Sequence, residues 1–222
     1  MKKIVIVIAI IVGVIMLAFS FTDLKYVFQV FTISSAGNEP TLKVGSFAIG
    51  TNLKTPKKFD LILYEQKLEG FPEGIWVQRL CGIEKDTIEI RKGILYVNGI
   101  NVDKDLTLNH DYLTDNSTVQ KLIEMNIVDR GEITIVNKDS VLVVLPDKVA
   151  FTYPENIKRF FVKKRDEEIE TIYGEAWSQD DFGPLVVPEK SIFVLGDNRN
   201  HSYDSRFFGF VKVEKIKGVL LK

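Results

Sequence analysis

The sequence is poor in the residues from which several common kinds of site are built. One cysteine among 222 residues excludes a disulfide within the chain, and Cys81 is expected to be a small, buried apolar residue. Two histidines and scattered carboxylates show no metal-ligand spacing, so neither a metal nor a cofactor is predicted. A net charge of -1 lacks the clustered basic excess of a nucleic-acid-binding protein.

Charge is absent from residues 4–22, which are almost wholly aliphatic. As a helix this run is about 28 Å long, close to the hydrocarbon thickness of a bilayer. A cleaved signal peptide has a shorter apolar region and ends in a small-x-small site. We therefore predict a cytoplasmic tip and an uncleaved transmembrane anchor over residues 1–24. Lys2 and Lys3 precede the run, so the N-terminus should be cytoplasmic and the main domain extracytoplasmic, in a single-pass protein of the cell membrane.

Three motifs lie in the rest of the chain. Residues 34–42 read S-S-A-G-N-E-P-T-L, residues 76–82 read W-V-Q-R-L-C-G, and residues 196–209 read G-D-N-R-N-H-S-Y-D-S-R-F-F-G. They resemble the S-x-S-M-x-P-T-L, K-R-x-x-G and G-D-N-R-x-x-S-x-D-S-R-x-x-G motifs of type I signal peptidases, serine peptidases that use a Ser–Lys dyad. The third motif matches at every fixed position. The resemblance covers roughly residues 1–104 and 174–222.

Both halves of the dyad are missing. By this resemblance, the nucleophile position falls on Gly37 and the general-base position on Gln78. A serine attacks an amide only when a base removes its proton, and a glutamine side chain does not titrate. We therefore predict that no catalytic site is intact and that the protein is not an active peptidase. Asn38, where the motif has methionine, also departs from the family pattern.

Other motif positions are filled. The resemblance implies that Ser35 is the oxyanion-hole serine, that Ser202 supports the dyad lysine, and that Asp204 and Arg206 form a structural ion pair. His201, Ser202 and Asp204 have the residue types of a hydrolase triad. They lie too close together in one loop to converge on one reacting atom, so we prefer the structural interpretation.

The resemblance and the residue patterns together predict a mainly β fold. We expect a signal-peptidase-like β domain, residues 25–104 and 174–222, interrupted by a small α+β insertion over residues 105–173. Strands are predicted at 26–34, 46–50, 60–64, 191–195 and 217–221, with hairpins at 88–97 and 132–145. A helix capped by Ser or Asn is predicted at 116–125. The basic, aromatic residues 156–164 are expected to be helical, with solvated lysines and arginines.

The protein is therefore predicted to be membrane-anchored and non-catalytic. We expect binding of an exported protein or a signal-peptide-like extended segment by pairing to a strand edge. Non-catalytic relatives resembling this chain assist pilin polymerisation in Gram-positive pilus assembly, so pilin subunits are candidate partners, with membrane lipid as a second contact. Two alternatives remain open: an active signal peptidase with a non-standard catalytic arrangement, and a structural membrane protein with a vestigial groove.

Overall fold

The computed structural model describes residues 2–21, 27–128, 133–153 and 155–221, and strands predominate among them. The predicted mainly β fold is therefore confirmed. The strands are β1 (Gln29–Thr32), β2 (Phe47–Thr51), β3 (Leu61–Gln66), β4 (Gly74–Ile83), β5 (Thr87–Arg91), β6 (Ile94–Val97), β7 (Ile100–Asn101), β8 (Asn109–Asp115), β9 (Ile133–Ile135), β10 (Ser140–Pro146), β11 (Ile157–Arg159), β12 (Phe182–Val186), β13 (Ser191–Leu195), β14 (Val211–Lys212) and β15 (Ile216–Leu221). The helices are α1 (Lys2–Phe21), α2 (Asn116–Glu124), α3 (Asp147–Ala150), α4 (Glu167–Tyr173) and α5 (Ser205–Phe208).

The apolar run near the N-terminus forms α1. Its large apolar side chains between Ile4 and Leu17 are each 48% to 66% exposed, so the rest of the protein does not cover them. Within the residues that the structure describes, no helix is both long and apolar enough to cross a membrane. Residues 1 and 22–26, which the predictions of the anchor and of the first strand include, lie outside the described residues.

The largest sheet has seven strands in the order β1-β2-β15-β3-β4-β13-β14, and all neighbouring strands are antiparallel. Strand β15 lies between β2 and β3, so residues far along the chain join two strands that follow each other in the sequence. Strand β3 is buried on both faces, because Ile62 and Tyr64 pack into one core cluster and Leu61 and Leu63 into another. The sheet therefore supplies a rigid frame for the residues at the ends of β1 and β4.

A second sheet has the order β12-β5-β6-β7. The predicted hairpin is β5–β6, and Lys92 and Gly93 both have positive φ, as a type I′ turn requires. Its inner face packs in a cluster that includes Phe182 and Phe193. Cys81 is fully buried in that cluster, as predicted.

The third sheet has the order β11-β8-β10-β9 and packs with α2 and α3 around its own buried cluster. The predicted helix and hairpin are present as α2 and β9–β10, although residue 132 of the hairpin lies outside the described residues. Asp115, rather than Ser or Asn, caps α2, accepting from the N–H groups of Ser117 and Thr118. The division of the chain into domains stays a prediction.

The predicted helix over residues 156–164 is wrong. Residues Ile157–Arg159 form β11, which pairs with β8, and Ile157 is buried. Arg159 is not fully solvated either, since it donates to the carbonyl oxygen of Gly93 at 3.1 Å. Pairing with a distant strand decides the conformation here, and local composition does not reveal it.

Candidate functional site

A groove of about 500 Å³ lies between two stretches of chain. One wall is formed by residues 31–38, at the end of β1, and the other by residues 71–78, at the start of β4. Residues 201–203 of the third motif complete the lining. All three motifs therefore contribute to one groove.

Gly37 lies in a short 3-10 turn, Ala36–Asn38. Asn198 holds this turn: its N–H donates to the carbonyl oxygen of Gly37 at 3.1 Å, and its Nδ2 donates to that of Ala36 at 3.1 Å. A Cβ atom built on Gly37 would lie 3.6 Å from Ser202 Oγ, an ordinary contact, and Gly37 does not have a positive φ. Neither space nor backbone conformation requires glycine at the nucleophile position.

Gln78 is buried, and its side-chain amide is fully engaged. Its Nε2 donates to Ser202 Oγ at 3.3 Å and to the carbonyl oxygen of Tyr203 at 2.8 Å. Its Oε1 accepts from the hydroxyl of Tyr64 at 2.6 Å. Burial, followed by the nearby charge of Asp204, raises the pKa of Tyr64 well above its ordinary value, so this hydroxyl stays a donor. The position of the base is thus held by a neutral amide with its hydrogen-bonding groups paired.

The structure brings Gly37, Gln78 and Ser202 together, because both other residues approach the Ser202 hydroxyl. The motif alignment predicted this proximity. Gly196 makes it possible: a Cβ atom there would lie 2.1 Å from Ser202 Oγ and 2.3 Å from the carbonyl oxygen of Gly37. Ser35 is exposed and lines the same groove. The roles assigned to Ser35 and Ser202 by resemblance stay predictions.

Asp204 and Arg206 form a buried ion pair through two contacts of 2.8 Å. Asp204 also accepts from the N–H of Gly196 at 3.2 Å, and Arg206 donates to the carbonyl oxygen of Arg199 at 2.6 Å. The pair therefore ties together the two ends of the loop that holds Ser202. No group of three metal-binding side chains occurs in the described part of the chain.

Sequence reasoning missed several groups that shape the groove. Tyr64, which orients the Gln78 amide, lies on β3, and nothing in the sequence links the two residues. Arg79 forms a buried pair with Asp197 at 2.6 and 2.5 Å and anchors β4 to the third motif. The only signal for this pair in the sequence was that Arg79 directly follows Gln78 and that the third motif contains an aspartate.

His201 lines the groove, and its Nε2 lies 2.8 Å from Asp111 Oδ1. This contact joins the third motif to β8 of the third sheet. The distance along the chain, about ninety residues, hid the pair from sequence reasoning. It brings a histidine and its carboxylate partner to the rim of the groove.

The β4 wall has a free strand edge. Both the N–H and the C=O of Leu80 form hydrogen bonds with the segment that leads into β3. Backbone groups of successive strand residues point to opposite sides, so those of Val77 and Ile75 point away from β3. Strand β13 pairs with β4 only from Arg79 onward. In the described chain, no strand therefore pairs with β4 beside Val77 and Ile75.

The opposite wall has the same character. Ile33 donates to the carbonyl oxygen of Ser46 and accepts from the N–H of Gly45, so its backbone faces β2. The backbone groups of Thr32 and Ser34 consequently face away from β2. Strand β1 is the edge strand of its sheet. Two backbone edges therefore border the groove.

The fold and the groove together show a mainly β protein with an open groove between strand edges. The chain belongs to the signal peptidase family, peptidase S26, whose family model matches residues 2–221. It is similar to "Signal peptidase I" of Bacillus caldolyticus, 29% identical over 198 residues that cover 87% of this chain and 77% of that protein.

Further similarity extends to "Signal peptidase I" of Aquifex aeolicus (strain VF5), 28% identical over 212 residues covering 87% of this chain and 74% of that protein. The crystal structure of a signal peptidase I from Enterococcus faecalis V583 is 26% identical, covers 76% of this chain and 98% of that chain, and has a TM-score of 0.38. The predicted family membership is confirmed by the family model.

Proposed function

We propose that this member of the signal peptidase family binds exported polypeptides in its groove without cleaving them. One observation carries the proposal: Gly37 offers no nucleophile, and the neighbouring Gln78 is a buried amide whose groups are all paired. Losing nucleophile and base together lowers the rate of such a mechanism by about 10⁶. The groove itself persists beside this position. Extended segments of pilin subunits are one candidate ligand.

The two backbone edges support binding of an extended chain. A polypeptide lying between β1 and β4 would pair its own backbone with Thr32 and Ser34 on one side and with the outward-facing edge of β4 at Ile75 and Val77 on the other. Such pairing supplies affinity that does not depend on a catalytic dyad. Side chains of the ligand would alternate between the floor of the groove and solvent.

We also propose that the protein is held at a membrane, with the N-terminus cytoplasmic and the groove outside the cell. The exposed apolar side chains of α1 support membrane attachment, because water does not favour such a surface. Val30, Ile49 and Leu221 add an exposed apolar row across β1, β2 and β15, since they are paired in register. Lys2 and Lys3 support the orientation.

The test combines cleavage and binding. A fluorescent peptide with a small-x-small site should bind the purified protein and remain intact. Ser34→Pro should weaken binding, because proline removes a backbone N–H at the groove edge. The matched variant Ser34→Ala, which keeps that N–H, should bind normally. Equal binding by both variants would contradict edge pairing, and absence of binding would leave a structural protein with a vestigial groove.

A second candidate function is hydrolysis with a non-standard base. The observation in its favour is the pair His201–Asp111 at the groove that Ser35 also lines. If the peptide is cleaved, Ser35→Ala and His201→Ala should each abolish cleavage. Intact peptide after prolonged incubation eliminates this candidate.

A further inference from the structure

Asn38 makes a contact across the groove that bears on how a ligand pairs. Its Nδ2 donates to the carbonyl oxygen of Val77 at 2.6 Å. Asn38 follows the nucleophile position in the turn of one wall, whereas Val77 belongs to the free edge of β4, the other wall. The side chain therefore bridges the two walls beside the site of the missing dyad.

The bridge engages an outward-facing group of the strand edge. The backbone of Val77 points away from β3, as the alternation from Leu80 requires, and the bond from Asn38 confirms that direction. A carbonyl oxygen accepts only, so the atom of Asn38 facing it is the amide nitrogen. The bond takes up one of the two lone pairs of this oxygen and places the Asn38 side chain on the side from which an added strand would approach.

Asn38 is 5% exposed, and its Oδ1 has no hydrogen-bond partner among the described residues. Burying an unpaired amide oxygen lowers the stability of the folded state. Asn38 therefore gains the bond to Val77 but leaves its own Oδ1 unpaired. An apolar side chain at this position would bury no unpaired oxygen. Proteins block exposed strand edges by such local devices.

We propose that Asn38 is a specificity-determining residue that ends ligand pairing on β4 before the Val77 carbonyl. If the groove binds an extended polypeptide, as the proposed function has it, the Asn38 bridge confines the backbone bonds on this wall to Ile75 and to the Val77 N–H. The bound chain then lacks its hydrogen bond at the Val77 carbonyl, which Asn38 engages. A ligand is held beside the vacant dyad position with weaker pairing there than along the rest of the groove.

The experiment releases the Val77 carbonyl. Binding of a fluorescein-labelled peptide with an alanine-x-alanine site is measured by anisotropy for the full chain in detergent and for Asn38→Ala. One additional backbone hydrogen bond should tighten binding about 3- to 10-fold. Asn116→Ala is the matched control, because Asn116, at the start of α2, also donates to a backbone carbonyl, that of Lys138 between β9 and β10. It should leave binding unchanged.

A set of peptides, each with one N-methylated backbone amide, locates the new bond. Asn38→Ala should become sensitive to methylation at one position where the unaltered protein is not. Thermal unfolding checks that the variant is folded, and Asn38→Ser, whose hydroxyl is too short for the bridge, provides a second variant. Unchanged or weaker binding by the folded variants would overturn the inference alone. Tighter binding by Asn116→Ala as well would also overturn it. If none of the proteins binds the peptide, the proposed function is refuted together with the inference.

Discussion

Rebuilding the dyad tests whether this groove is a peptidase site that lacks only two side chains. The perturbation is the double substitution Gly37→Ser and Gln78→Lys. A Cβ atom on residue 37 meets no obstacle, at 3.6 Å from Ser202 Oγ, and Gln78 Nε2 lies 3.3 Å from the same oxygen. A lysine side chain is one atom longer than glutamine. Its amine would therefore reach the space between Ser202 and the introduced serine.

The expected magnitude follows from geometry. A complete dyad accounts for about 10⁶ in rate, and a misplacement of about 1 Å can cost about 10². We expect the double variant to cleave a small-x-small peptide about 10²- to 10⁴-fold faster than the matched control Gly37→Ala with Gln78→Lys. Each single substitution should show no gain, because nucleophile and base act as a unit.

The pH profile gives an independent check. Burial favours the neutral amine, so the pKa of the introduced lysine should fall below its usual value of about 10.4. Cleavage should therefore rise with pH through this lowered pKa, as the amine loses its proton and can act as a base. Cleavage is followed by mass spectrometry of the peptide products. A folded double variant no faster than the control would refute the reasoning that only two side chains are missing.

Three further predictions concern stability and topology. Tyr64→Phe leaves the buried Gln78 Oε1 without its donor and should lower the free energy of unfolding by about 1–3 kcal/mol in urea; no change would contradict the described network. Burial, opposed by the hydrogen bond to Asp147, lowers the pKa of His110 to about 4. In the unfolded chain the His110 imidazole takes up a proton near pH 6.5, whereas in the folded protein it does so only near pH 4. The free energy of unfolding should therefore fall by up to about 3 kcal/mol between pH 6.5 and 4, and His110→Gln should show a shallower fall. A membrane-impermeant maleimide should label Ile100→Cys in intact cells, because position 100 is exposed. Cys81 should not react, since burial raises the pKa of its thiol to about 12; labelling only after lysis would reverse the proposed orientation.

The motifs allowed much of the site to be predicted because their spacing encodes a fold. Gly37, Gln78 and Ser202 are up to 165 positions apart in the sequence numbering, yet the alignment placed them together. The residues that form β5, β6 and β13 were recognisable as short, mostly apolar runs; burial alternates along β5 and β6, whereas β13 is buried at all five positions. In each case the local preference and the tertiary environment agree.

Other features depend on contacts that a single sequence does not display. Ile157–Arg159 is a strand because β8 offers it an edge, despite a composition that suggested a helix. The hydroxyl of Tyr64 contacts Gln78 only because β3 and β4 pair in a register that places Tyr64 opposite Trp76. Asn38 was visible as a departure from the motif, but its bond to Val77 required the groove to be built.

The place of β15 in the large sheet has a consequence for protein synthesis. Strands β1 and β2 lie on one side of it and β3 and β4 on the other, so each groove wall belongs to a different half. During translation, the segments for both walls emerge well before residues 216–221. Until those residues arrive, the sheet cannot align the walls, and the unpaired edges of β2 and β3 remain open to other chains. We therefore expect the nascent protein to expose two unpaired strand edges until β15 is in place.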